Sequence, residues 1–342
     1  MITLHLHVGI HKTASTYIQH RLKANQAFLR KNSIFYPSHR ADHLSLLKSF
    51  RKQQLEPWNL LLERAARDRH DHILISAESF SLAMSGQSDS PGNASRRSNI
   101  QWLSEALSRH QCSLRVYAFV REQGQYLVSR YTQLIKRFYF SLDFPSYVSR
   151  VVAGGSESEC DYQLLFADAL DNSDIACTFI PFIKGSADPC ERLLTAMHLE
   201  GFQNLKPLQS TQANVQPGWR AVWIAQRVAQ RLRRQDPVRW KNPAIKAALR
   251  SKLENAAQCN GWTNEPFSEL TQSLRGVIHD RYSCSNDAFA RQVWSCPWSD
   301  IFPEPSDEVP GNSARISLSS ADKQLLRDEA ESLLQYGLSL KL

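Results

Sequence analysis

Lys12 stands among three hydroxyl residues, Thr13, Ser15 and Thr16, one position after His11 and three after Gly9. A lysine supplies a full positive charge and the hydroxyls supply donors, so Gly9 to Thr16 suits a phosphate or a group like one. Arg121 and Ser129, eight residues apart, form a second set in which a forked guanidinium and a hydroxyl suit another phosphate. Glu78 and His11 are the side chains of the right type to take a proton from a substrate. Together these residues fit the transfer of a charged group, where cations steady a leaving oxygen and a base relieves the acceptor of its proton.

The elements that would position them are legible. Leu4, Leu6 and Val8 alternate with His5 and His7 and stop at Gly9, which predicts a short strand. Ile18, Leu22 and Phe28 sit amid Gln, Arg, Lys and Asn, which predicts an amphipathic helix from Thr16 through Arg30. A strand feeding a short loop into a helix leaves backbone N–H groups unpaired at the loop, and the helix dipole adds to their attraction for an anion. This is not the Gly-x-x-x-x-Gly-Lys-Ser/Thr loop of the triphosphate-binding proteins, because Gly9 stands alone and no glycine directly precedes Lys12.

Further apolar bursts at His72–Ser76, Leu114–Val120 and Ile175–Ile180 read as strands alternating with helical patterns. That alternation predicts an α/β fold with a central, mainly parallel sheet flanked by helices. Ligands of such sheets sit beyond the carboxyl ends of the strands, where the Gly9–Thr16 loop, Glu78 and Arg121 all fall. Tyr36–Ser38 closes a short extended piece, and residues 84–98 and 296–314 read as loops. From about residue 212 the strand signal fades. Helical patterns cover Pro217–Gln235, Pro243–Gln258 and Asn286–Trp294, and a last helix over Ser319–Tyr336 is expected to stop at Gly337. The expectation is one domain over 1–342, with an α/β core in 1–211 and a helical annex in 212–342 that covers the acceptor site. Arg220, Arg227, Arg231 and Arg234 share one face of a helix, suiting either an acidic acceptor or plain solvation.

The 342 residues carry a formal charge of +8, a basic surplus that suits anionic partners without choosing among them. No helix-turn-helix, RNP or zinc-finger pattern points to nucleic acid. With 42% hydrophobic and 22% charged residues the chain is globular rather than disordered. It has no run of about 18 apolar residues, so no transmembrane segment is expected. A strand starting at residue 3 leaves no room for a signal peptide. The seven scattered cysteines, without a Cys-x-x-Cys pair, suggest neither a disulfide framework nor a zinc site, and fit a reducing cytoplasm.

Gly9-Ile10-His11-Lys12-Thr13-Ala14-Ser15-Thr16 after an N-terminal strand, followed by Arg121 at a strand end and Ser129 on the next helix, resembles the two nucleotide motifs of the sulfotransferases. The likeness is to the bacterial and carbohydrate-type members, which use 3′-phosphoadenosine-5′-phosphosulfate (PAPS), and it covers roughly residues 1–185. It implies a P-loop-like three-layer fold. It also implies that Gly9, His11, Lys12, Thr13, Ala14, Ser15 and Thr16 hold the 5′-phosphosulfate, that Arg121 and Ser129 hold the 3′-phosphate, and that Lys12 stabilises the leaving phosphate. Sulfotransferases use Glu in some branches and His in others as the base, which fits Glu78 first and His11 second. The implied acceptor is a hydroxyl or amine of a glycan or small molecule, the product is 3′,5′-ADP, and no metal is required. The chain departs from the small-molecule members in lacking their Gly-rich tail that closes over the nucleotide. Two other classes stay in view. A P-loop-like kinase would want an aspartate ending an apolar strand, but Ser76, Val120 and Ile180 stand there. A basic binding module with a vestigial nucleotide site is the non-enzymatic reading.

Overall fold

The computed structural model describes residues 2–86, 97–154, 158–183, 185–199, 201–202, 205–208, 218–303 and 318–341. The chain divides into two compact units, each drawn from separated stretches of sequence. The first comprises Met1–Glu122, Glu157–Ala213 and Tyr282–Pro303, and the second Gln123–Ser156, Asn214–Arg281 and Glu304–Leu342.

The first unit is a wholly parallel five-stranded sheet with helices on both faces. Its strands are β1 (Ile2–His7), β2 (Ile34–Phe35), β3 (His72–Ser76), β4 (Cys112–Val120) and β5 (Ile175–Pro181), in the order β2-β3-β1-β4-β5. The alternation seen in β1 places His5 and His7 on one face and Leu4 and Leu6 on the other. On the His face, Leu74, Tyr117, Phe119 and Ile180 form a core with three helices. These are α1 (Ser15–Ala24) through Ile18 and Leu22, α2 (Gln26–Lys31) through Leu29, and α9 (Pro189–Ala196) through Leu193 and Leu194. On the other face, α5 (Asn99–Ser108) packs against β4 and α8 (Tyr162–Leu170) against β5, and α3 (Arg40–Lys52) packs against α4 (Glu56–Arg67) and α5. Phe166 meets Phe179 there with ring centroids 4.8 Å apart. The chain leaves β1 for one side of the sheet and then crosses to β4 on the other, so the carboxyl end of β1 is a topological switch point, the usual place for a ligand in such sheets.

The second unit is helical among its described residues. It contains α6 (Gln123–Lys136), α7 (Phe144–Val152), α10 (Trp219–Gln235), α11 (Pro237–Lys241), α12 (Pro243–Cys259) and the last helix, Ser320–Ser339. Val222, Ile224, Val228 and Leu232 form the buried stripe of α10, which packs against α6, α12 and the last helix.

Several local expectations are corrected. The first helix does not run to Arg30. It breaks at Asn25, whose side-chain amide donates to the Arg21 carbonyl at 2.8 Å, satisfying that carbonyl from the side chain. Gly337 does not stop the last helix, which continues to Ser339. It is instead where that helix meets Leu249, and a Cβ there would lie 3.0 Å from Leu249 Cδ2. Asn286–Trp294 is the end of a longer helix, Gln272–Trp294, and Trp298–Ile301 adds a helical turn inside the supposed proline loop. Residues 87–96 and 304–314 of the two expected loops lie outside the described residues.

Candidate functional site

β1 is hydrogen-bonded on both sides as it ends, with Val8 N donating to Tyr117 O at 2.9 Å and Ala77 N to His7 O at 3.1 Å. Beyond it the chain turns through residues 9–14 into α1. Lys12 (φ 70°) and Ala14 (φ 62°) are left-handed, separated by Thr13, which is not. Alternation of this kind makes a concave run of backbone amides, a nest for an anion. Left-handed backbone in a residue with a Cβ costs on the order of 1–3 kcal/mol.

Side chains hold the loop's carbonyls. Ser81 Oγ donates to Gly9 O at 3.0 Å, Thr13 Oγ1 to Ile10 O at 2.6 Å, and Arg121 Nη1 to Lys12 O at 3.0 Å. The amides of His11, Thr13, Ala14, Ser15 and Thr16 donate to no protein group among the described residues. Ser15 Oγ is also buried without a partner there. Gly9 is required for space rather than for backbone freedom, since a Cβ on it would overlap Ser15 Oγ and lie 3.1 Å from Glu78 Cγ.

Arg121 follows β4 and makes no ion pair among the described residues. Its carbonyl accepts from Tyr162 Oη at 2.6 Å, its guanidinium carbon lies 5.5 Å from the centre of the Phe182 ring, and its Nε is buried and unpartnered. Burial pushes its pKa down. A guanidinium held this way retains donors for a ligand. Ser129 lies on the buried face of α6 in the second unit.

Glu78 opens a 3₁₀ turn, Glu78–Ala83, two residues past β3. Its Oε2 accepts from His11 Nδ1 at 2.8 Å. Burial raises the Glu78 pKa, but the His11 hydrogen bond and the nearby His11 and Lys12 charges outweigh it, and the carboxyl is held below its ordinary value. On the far side of the imidazole, His11 Nε2 lies 3.4 Å from Glu159 Oε1. Glu159 is 3% exposed and comes from the turn Ser158–Cys160, far away in sequence. This third member of the group belongs to no motif. Its only sequence signal is an acidic residue shortly before α8.

The strand histidines are buried. His7 Nδ1 is hydrogen-bonded to Ser76 Oγ at 2.8 Å, and burial lowers its pKa to about 4. His5 is hydrogen-bonded to Tyr117 Oη at 3.0 Å and to His72 Nδ1 at 3.1 Å, and burial lowers its pKa to about 3. Both are packed neutral groups. The arginine face of α10 is largely matched within its own unit. Arg220 pairs with Glu265 at 3.1 Å, Arg231 pairs with Glu331, and Arg227 lies 5.1 Å over the Trp223 ring.

The structure thus brings Gly9 to Thr16, Glu78 and Arg121 to the carboxyl end of one sheet. Among the described residues no helix is long and apolar enough to cross a membrane. The chain matches no protein-family model, no curated protein and no solved structure.

Proposed function

We propose that this protein is a PAPS-dependent sulfotransferase that moves a sulfuryl group to a hydroxyl or amine of a glycan or small molecule, with 3′,5′-ADP as the other product. The observation that carries the reading is the loop at the switch point. Its five undonated amides and the buried, unpartnered Ser15 hydroxyl suit the oxygens of a 5′-phosphosulfate, and the sequence resemblance selects that group over other anions. PAPS, when bound, supplies the sulfuryl group and a phosphate as leaving group. Gly9 to Thr16 hold that end through backbone N–H groups, and Lys12 offsets charge growing on the leaving oxygen. Arg121 is assigned to the 3′-phosphate.

Glu78 then takes the acceptor's proton. His11 occupies its Oε2, and its Oε1 accepts no hydrogen bond among the described residues. As the acceptor's bond to sulfur forms, the bond from sulfur to the leaving phosphate oxygen breaks and the proton goes to Glu78. His11 is a positioning residue in this scheme. The lowered pKa keeps Glu78 ionised at neutral pH but makes it a weaker base, so orientation by His11 contributes more than basicity. The test is calorimetry with 3′,5′-ADP followed by a screen with labelled PAPS against glycans, alcohols and amines. Absence of 3′,5′-ADP binding would overturn the reading.

A further inference from the structure

In the second unit, the turn that follows α6 contains a left-handed residue, Phe138 (φ 55°), and the next residue, Tyr139, is 55% exposed. Beside it lies a cavity of about 280 Å³ lined by Arg137, Tyr139, Lys246, Arg250 and Glu254. We infer that this cavity is a binding site for the oxyanion of a sulfate or phosphate monoester.

The argument is one of unmatched charge. Lys136, Arg137, Lys246 and Arg250 gather around a single carboxylate. Glu254 Oε1 takes Arg250 Nε at 2.9 Å and Lys136 Nζ at 3.7 Å, so one oxygen serves two cations. Lys246 has no carboxylate among the described residues, and its ammonium lies 4.7 Å from the Trp240 ring centre and 5.2 Å from that of Tyr139. Arg137 has no hydrogen bond or ion pair among the described residues, and its Nε is buried. Burial lowers the Lys246 pKa. For Lys136, burial and the Arg250 and Arg137 charges together outweigh the help from Glu254. Like charges packed this way cost stability, and an anion in their midst would return it. The arginines of α10 show the contrast, since Arg220 and Arg231 each have a carboxylate.

The shape narrows the ligand. The volume lies near the lower end for small-molecule sites, which leaves room for an oxyanion and one ring rather than a length of polymer. Arg137 and Arg250 offer forked donors that match a tetrahedral oxyanion, and the exposed Tyr139 ring gives an apolar flank for the carrier. This site is independent of the PAPS reading.

Calorimetry on the full chain, saturated with 3′,5′-ADP to fill any nucleotide site, tests it with glucose 6-sulfate and glucose 6-phosphate against glucose. Binding of either ester but not of glucose is expected, and a preference between them identifies the source of the oxyanion. Arg137→Gln and, separately, Lys246→Gln should each weaken ester binding roughly ten-fold or more, as loss of a charge-assisted contact does, while Arg231→Gln, at an arginine outside the cavity that pairs with Glu331, leaves it unchanged. The inference is overturned if neither ester binds, if glucose binds equally well, if both cavity variants bind like the parent, or if only a DNA duplex binds through these residues.

Discussion

His11 Nδ1 donates to Glu78 Oε2 across 2.8 Å, which ties the loop after β1 to the turn after β3. The two candidate proton acceptors are therefore one hydrogen-bonded unit, and single substitutions will not separate them additively. Glu78→Gln keeps shape and polarity but removes the acceptor, and should lower kcat about 10²–10⁴-fold with little change in 3′,5′-ADP affinity. His11→Ala should lower kcat less, and the double variant should be scarcely worse than Glu78→Gln. If His11→Ala alone abolishes turnover while Glu78→Gln retains it, the roles are reversed.

Gly9→Ala places a methyl group against Ser15 Oγ and Glu78 Cγ. Overpacking of this kind costs about 1–3 kcal/mol. Urea unfolding should show that loss, and calorimetry should show weaker 3′,5′-ADP binding. An unchanged midpoint with unchanged affinity would mean that the close approach is not maintained in solution.

Arg121→Ala should weaken 3′,5′-ADP by roughly 1.5–3 kcal/mol, the usual worth of a charge-assisted contact. It also releases the Lys12 carbonyl, so part of the loss reflects a looser loop. Affinity equal to the parent would remove Arg121 from the nucleotide site.

Lys12→Gly separates charge from backbone, since glycine adopts the φ of 70° at Lys12 without strain. Stability should hold or rise while kcat falls, because charge on the leaving oxygen grows toward the transition state. A change in KM alone would make Lys12 a ground-state binder.

His5 and His7, with pKa values lowered to about 3 and about 4, give stability a definite pH dependence. The unfolded chain binds their protons near pH 6.5 and the folded one only much lower. Their contribution is complete above about 6.5 and is lost as pH falls toward 4 and then 3. Glu78, also held below its ordinary value, acts in the same direction but only below about 4.5. Urea midpoints should fall from pH 7 to pH 5. His7→Phe should flatten that slope even if it lowers stability overall, and a slope equal to the parent's would show that His7 is charged in the folded state.

The sequence announced the parts of this molecule that local pattern controls. β1 was visible because Leu4 and Leu6 alternate with His5 and His7, and the break at Gly9 marked the loop. β2, only Ile34–Phe35, is too short to show a period, and Tyr36–Ser38 marked only its end. Glu159 was invisible because its value lies in meeting His11 across 148 positions of chain (159 − 11), and nothing within a few residues of it encodes that contact. Gly337 misled for a related reason: glycine reads as a helix stop locally, whereas here it is kept small by Leu249, which comes from α12. The α10 arginines suited an acidic acceptor or plain solvation alike, because the carboxylates that meet Arg220 and Arg231, Glu265 and Glu331, are distant in sequence.

The left-handed backbone at Lys12 and Ala14 bears on any attempt to make this protein hardier. A library selected only for survival of heat would gather glycine at both positions, since each change relieves strain carried by the ligand-free chain. At Ala14 that gain removes only a methyl group, while at Lys12 it removes the cation. Heat selection and selection for turnover would then diverge at one of two residues that sit two apart in the chain, so a breeder of robust variants should fix Lys12 before the first round.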